Sequence, residues 1–173
     1  MRIELFTRVA LRAALMLCLG SGQAFAHGEN ESPAGTASVA AIAPLANSPV
    51  AVAAQFASAL RGGDAAMVRA LLSPDVLIFE SGGAELSLEE YAGHHMPADI
   101  AFLANLESEQ LMQGSGGDET SAWVATRTRL RGRFDNKNLD LDSTETLTLS
   151  KTTGRWRIVH VHWSSAPHRQ AVP

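Results

Sequence analysis

Cysteine is nearly absent from this chain: Cys18 is the only one in 173 residues. A lone cysteine excludes an internal disulfide and any metal site built on paired thiolates. A long hydrophobic run is also missing. Val9 to Leu19 is apolar apart from Arg12, which is too short for a membrane span of about 20 residues. An excess of positive charge is lacking as well, since the formal net charge is −4. That balance argues against non-specific binding to nucleic acid or to anionic membranes. No internal repeat and no HExxH-type metal motif occurs.

The first 26 residues read as a targeting segment. Arg2, Arg8 and Arg12 form a basic start, the apolar run follows, and Ala24-Phe25-Ala26 fits the small-x-small cleavage rule. Export with cleavage would leave His27 as the new N-terminus and remove Cys18. It would also remove three arginines and Glu4, so the mature chain would carry eleven basic and seventeen acidic side chains, a net charge near −6. The expected location is the periplasm or the exterior, with no membrane association after cleavage. Residues 27–47, rich in Ala, Ser, Pro, Gly and Asn, read as a flexible linker. Residues 48–168 suit one domain with one core, and 169–173 a short tail.

Ser48-Pro49 predicts a helix start, with Ser48 as the cap and Val52, Phe56, Ala59 and Leu60 on the apolar face. Asp64 is expected to cap a second short helix through Leu72. Asp75–Glu80 reads as a strand, and Ser81-Gly82-Gly83 as a turn. Ser87-Leu88-Glu89-Glu90 is a capping box opening a helix to about Met96, stopped by Pro97. On that helix Tyr91, His94 and His95 would share a face. A further helical stretch from Ala98 leads to a strand at Glu107–Gln113, with Gly114 to Asp118 as a loop.

Asp135-Asn136 predicts a two-residue hairpin turn. Pairing outward sets Arg131 opposite Asp140 and Arg129 opposite Asp142 on one face. On the other it sets Leu130 opposite Leu141, Thr128 opposite Ser143, Thr126 opposite Glu145, and Val124 opposite Leu147. The charged face reads as solvated, with ion pairs worth under about 1 kcal/mol each. Glu145 is the exception on the apolar face. An ionised carboxylate there is costly unless paired, so a pocket is the favoured place for it.

The last strand contains Val159-His160-Val161-His162-Trp163. Alternation puts His160 and His162 on one face, about 7 Å apart. They suggest a metal site completed by Glu80 or His95, a ligand pocket, or a subunit interface. A tight turn at Thr152-Thr153 would point them into the pocket. A three-residue turn ending in Gly154 would point them outward, and Gly154 suits its left-handed position, which favours that alternative.

Helices followed by a long antiparallel sheet ending in W-x-x-V-H-x-H resemble the nuclear-transport-factor-2-like superfamily, which includes ketosteroid isomerases and SnoaL-like proteins. Gly63-Asp64, Phe79-Glu80, Glu145-Thr146, Gly154, Trp156, Val159 to His162, Ser164 and Ala166-Pro167 resemble most the association (hub) domain of calcium/calmodulin-dependent protein kinase II, in its secreted bacterial relatives. The resemblance implies an α+β fold, a curved antiparallel sheet wrapped around N-terminal helices as a cone, with a pocket between them and dimerisation through the outer face of the sheet. Glu80 falls where ketosteroid isomerases carry a proton-shuttling carboxylate, and Glu145 near their second acid. Phe56 replaces the isomerase's hydrogen-bonding tyrosine, and Leu147 replaces a pocket arginine of the hub. The expectation is an exported small-molecule-binding protein, with Glu80 and Glu145 as acid–base residues, Tyr91, His94, His95 and Trp163 as ligand contacts, and no cofactor. The alternative is a non-catalytic periplasmic dimer binding a ligand, or a metal through His160 and His162.

Overall fold

In the computed structural model, residues 47–169 are described. The expected signal peptide and its cleavage site lie outside the described residues, as do all but the last residue of the linker and all but the first of the tail.

The side chain of Ser48 accepts a hydrogen bond from the Ala51 amide and starts α1 (Pro49–Gly62), a cap worth about 1 kcal/mol. Gly63, at φ 74°, ends it and returns its amide to the carbonyls of Ala59 and Leu60, a left-handed closure that glycine adopts without steric cost. Asp64 caps α2 (Ala65–Leu71) by accepting from the Met67 amide at 2.9 Å. The chain then runs straight into β1 (Leu72–Glu80), turns through Ser81-Gly82, and adds the short β2 (Gly83–Glu85).

The capping box at Ser87 opens α3 (Leu88–Gly93), which is shorter than expected because it stops at Gly93. Pro97 begins a helix rather than only ending one, since it sits in the first turn of α4 (Met96–Leu103). A missing N–H costs nothing there, because the first amides of a helix have no internal partner. The break at His94 and His95 removes the shared helical face expected for Tyr91, His94 and His95.

Four long strands follow: β3 (Leu106–Gly117), β4 (Ser121–Phe134), β5 (Lys137–Thr152) and β6 (Arg155–Pro167). Gly114 to Gly117 belong to β3 instead of forming a loop. The turn is instead made at Asp118, whose carboxylate accepts from the Thr120 and Ser121 amides. Glycine suits β3 because the Trp123 indole, across the pair, lies over it. A Cβ at Gly116 would sit 2.9 Å from the Trp123 ring nitrogen.

The sheet order is β2-β1-β6-β5-β4-β3. α1 and α2 precede the sheet, and α3 and α4 fall between β2 and β3; the sheet is mostly antiparallel, within the α+β class expected, but one seam is parallel: β1 pairs with β6 in the same direction. The hairpin at Asp135 and Asn136 has both residues at positive φ, 49° and 60°, and its register is the one worked out by pairing outward, from Phe134 opposite Lys137 to Val124 opposite Leu147. The ion pairs run diagonally: Arg129 to Asp140, Arg127 to Asp142, and Arg131 across to Glu109.

The next hairpin differs from both alternatives. Its turn has two residues, Thr153 and Gly154. Leu149 then pairs with Ile158 but Thr148 with His160, so Val159 is an extra residue in a β-bulge. A bulge switches the phase of a strand. Trp156 and Ile158 face inward before it, and Val161 and Trp163 after it. Phe56, Val52 and Leu60 of α1 close the core over Val124, Leu147, Leu149, Ile158 and Val161.

Candidate functional site

Between α1, α4 and the concave side of the sheet lies an open cavity of about 300 Å³. Small residues make the room for it: Ala53, Ala54 and Ala57 of α1 face the space, with Leu60 and Arg61 after them, and larger side chains at the three alanines would fill it.

The sheet register lays out the floor in rows. Glu80 pairs with Trp163, Trp163 with Glu145, Glu145 with Thr126, and Thr126 with Gln113. Residues directly opposite share a face, so these five form one transverse row across β1, β6, β5, β4 and β3, and all five line the cavity. With strands about 4.8 Å apart, the two acids stand roughly 10 Å apart at Cα, with the indole between them. The next row is Ser165, Ser143, Thr128 and Gln110, neutral hydrogen-bonding groups that also line the cavity. Leu130 and Phe102 stand beyond it, the latter edge-on to Phe134 at 5.2 Å.

The Trp163 ring nitrogen donates to Glu145 Oε2 at 2.7 Å, and the indole stacks on Phe56 with centroids 6.1 Å apart. Burial pushes the Glu145 carboxyl above its ordinary range, opposed by that hydrogen bond and by the charge of Arg61. Desolvation also raises Glu80, opposed by nearby His95 and reinforced by Glu85.

A third carboxylate completes the site and was missed in the sequence. Asp99, in the first turn of α4, lines the cavity and accepts from the Tyr91 hydroxyl at 3.0 Å. Burial, with the charge of Glu80, pushes Asp99 up to about 7. An aspartate at that position reads as a partner of the helix dipole, and no local signal says that it turns inward. Arg61, on the last turn of α1, is the cation of the lining.

The remaining expected site residues are placed as follows. Trp163 lies on the cavity floor. Tyr91 is fully buried behind Asp99 and is not part of the lining. His94 caps the end of α3 and is exposed. His95 is exposed and hydrogen-bonded through Nδ1 to the buried Glu85, a contact that raises its pKa. His160 and His162 face outward, beside Leu77 and Phe79 of β1, and His160 Nδ1 lies 2.9 Å from the Leu77 carbonyl oxygen. The expected metal set is therefore not brought together, because Glu80 is on the opposite face of the sheet from both histidines. Among the described residues, no group of three or more His, Cys, Asp or Glu side chains is placed to hold a metal ion, and no helix is long and apolar enough to cross a membrane.

A family model described as a SnoaL-like domain matches residues 50–168. A candidate ketosteroid isomerase from Shewanella frigidimarina is 40% identical, with a TM-score of 0.64, over 65% of this chain and 91% of that one. A candidate calcium/calmodulin-dependent protein kinase II association domain from Xanthomonas campestris is 22% identical, with a TM-score of 0.57, over 69% and 86% of the two chains. The kinase hub from S. rosetta is 18% identical, with a TM-score of 0.55, over 68% and 93%. The last two likenesses concern the fold alone. No curated protein matches.

Proposed function

This chain belongs to the SnoaL-like domain family, and we propose that it binds a small organic molecule in the cavity and moves a proton on it without a cofactor. The observation that carries this reading is the floor row in which Glu80 and Glu145 flank Trp163. Two carboxyl groups in different surroundings can divide acid and base roles. Glu80, the more exposed of the two acids, acts as the base. It takes a proton from a C–H next to a carbonyl, the electron pair moves to the carbonyl oxygen, and an enolate forms. Glu145, whose neutral form burial favours, donates a hydrogen bond to that oxygen from that form. Its Oε2 already accepts from Trp163, which leaves the other oxygen to carry the proton. Return of the proton from Glu80 to a second carbon completes an isomerisation. The likeness to a candidate ketosteroid isomerase at 40% identity supports the reaction class. Phe56 in place of a donor on α1 argues against a steroid-type oxyanion site.

The test is deuterium wash-in. Protein in D2O is incubated with β,γ-unsaturated ketones and β-keto esters, and loss of the C–H signal is followed by proton NMR. Exchange well above the buffer rate is the expected result. Exchange at the buffer rate across the panel would leave only the non-catalytic binding reading.

The outer face of the sheet supports self-association. Leu77 (41% exposed), Phe79 (38%), Trp123 (45%) and Met112 (62%) share it with His160 and His162. A patch of large apolar side chains on one face marks an interaction site. A second copy of this chain is the proposed occupant. Sedimentation equilibrium is expected to give a dimer for the wild type and a monomer for Leu77→Lys/Phe79→Lys; a monomeric wild type at micromolar concentration would contradict this. Export to the periplasm or exterior belongs to the same proposal, and the N-terminal sequence of the secreted protein, expected to begin at His27, checks it.

A further inference from the structure

We infer that the cavity takes a small hydroxylated amine, bound as its cation, with the ammonium at the end where Glu80 and Asp99 stand and the hydroxyls on the row formed by Ser165, Ser143 and Thr128. This rests on the cavity being the small-molecule site proposed above and adds an ammonium and hydroxyls to the carbonyl compound proposed there; the binding probes below carry the ammonium and hydroxyl alone.

The argument is one of charge and position. Three carboxyl groups line the cavity, from β1, β5 and α4, while the cation of the lining, Arg61, is exposed at the end of α1. A carboxylate or phosphate ligand would meet three groups that can become like charges, and one opposite charge. An ammonium would meet the reverse. Each acid, moreover, has hydrogen-bonding capacity left over. Among the described residues the Glu145 carboxyl has one hydrogen-bond partner, the Trp163 N–H, and Asp99 has one, the Tyr91 hydroxyl. Carboxylates accept about four hydrogen bonds when ionised, so each acid has lone pairs open to the cavity, and a desolvated charge without a counter-charge is costly. A ligand that brings N–H donors and a positive charge satisfies both deficits. An apolar ligand satisfies neither, and it would also leave the hydroxyls of Ser143 and Thr128 without partners.

A second consequence follows from the desolvation of these acids. All three are held above their ordinary ranges. A bound cation favours their ionised forms, so binding releases protons to the buffer and tightens as pH rises from 5 to 8, while the amine itself stays protonated.

The experiment is calorimetric titration of the full chain with three probes of one shape: trans-4-aminocyclohexanol, trans-1,4-cyclohexanediol and trans-4-hydroxycyclohexanecarboxylate. At pH 8 the amine is expected to bind at least about tenfold more tightly than the diol, a difference of about 1.4 kcal/mol, and the carboxylate most weakly. The amine's enthalpy should differ between buffers of different ionisation enthalpy, reporting proton release. Asp99→Asn, which keeps the shape and removes the charge, should narrow the gap between amine and diol. Equal or tighter binding of the diol or the carboxylate would overturn the inference while leaving the pocket intact. Absence of binding by all three would overturn the pocket reading together with it.

Discussion

Glu80→Gln is expected to slow deuterium wash-in by a factor of about 10²–10⁴, the usual contribution of a positioned general base. Glutamine keeps the length, shape and one acceptor of the side chain but cannot take a proton. Glu80 ends β1 on the same face as Ile78, opposite Trp163, and its side chain reaches the cavity. The loss should fall on kcat more than on KM, because the amide still fills its place. The pH profile separates a chemical role from a structural one. Since desolvation raises the Glu80 carboxyl, the wild-type rate should climb with pH through a range above that of an ordinary glutamate and then level off. In Glu80→Gln that limb should disappear from any residual activity. A variant with full turnover and an unchanged profile would remove Glu80 from the chemistry and shift the base role to Asp99. Glu145→Gln is the informative companion. Its amide still donates a hydrogen bond, so it should lose far less than Glu145→Leu, which donates none.

The second large effect is on stability, and its sign is unusual for a carboxylate. Asp99 is raised from 3.8 to about 7 in the folded chain, so the folded state holds a proton that the unfolded chain releases. Stability is then greatest below about pH 4 as far as this group is concerned, and falls as pH rises from there to about 7. Each unit is worth about 1.4 kcal/mol, so the full difference is about 4 kcal/mol, with about 2–3 kcal/mol of it between pH 5 and pH 8. His95, also raised, acts in the same direction. Asp140 and Asp142 on the outer face are lowered by Arg129 and His168 respectively. They act oppositely, but at the acid end, below the pH 5–8 window; Glu80, Glu145 and His95 are raised as Asp99 is, so the part due to Asp99 is read from the difference between wild type and Asp99→Asn. Urea unfolding at each pH should show the wild type losing stability toward pH 8, and Asp99→Asn more stable than wild type there, with a shallower slope. Asparagine can still accept from Tyr91, so the gain should not be masked by a lost hydrogen bond. A variant less stable than the wild type at pH 8, or one with an unchanged slope, would show that Asp99 is ionised and well solvated at neutral pH. These two results also bear on each other. An acid kept at a cost in stability on a cavity wall is the pattern of a functional group rather than a structural one.

Much of this site could be read before any coordinates, because its rows are made by strand register. Asp135-Asn136 can turn in only a few ways, and counting outward from it places Glu145 beside Thr126 and on the same face as Leu147. The helix caps at Ser48, Asp64 and Ser87 were equally legible, since each is a short-range hydrogen bond between a side chain and an amide three residues on. Legibility ended where a local rule allowed two outcomes. At His94 and His95 the periodic pattern of α3 continues on paper, but Gly93 and Pro97 divide it, so His95 turns away to Glu85 and Tyr91 is left behind Asp99. The glycines of β3 look like a loop until Trp123 is placed over them.

By itself, then, the sequence determined the order of the helices and of the long strands, though not β2 (Gly83–Glu85), together with the α+β class, the family pattern of the last strand, and the side of β5 on which Glu145 lies. Three things were decided only by tertiary structure. The bulge at Val159 turned His160 and His162 outward and Trp163 in, although the turn before them has two residues and not three. The parallel seam between β1 and β6 brought Glu80 beside Trp163. The packing of α4 swung Asp99 into the same cavity. The physical reason is common to all three. A one-residue slip or a change of helix direction costs little within its own segment, so no local propensity selects it. It is selected by what it buries at a distance: here Val161 in the core under α1, Trp163 against Phe56, and Tyr91 under Asp99.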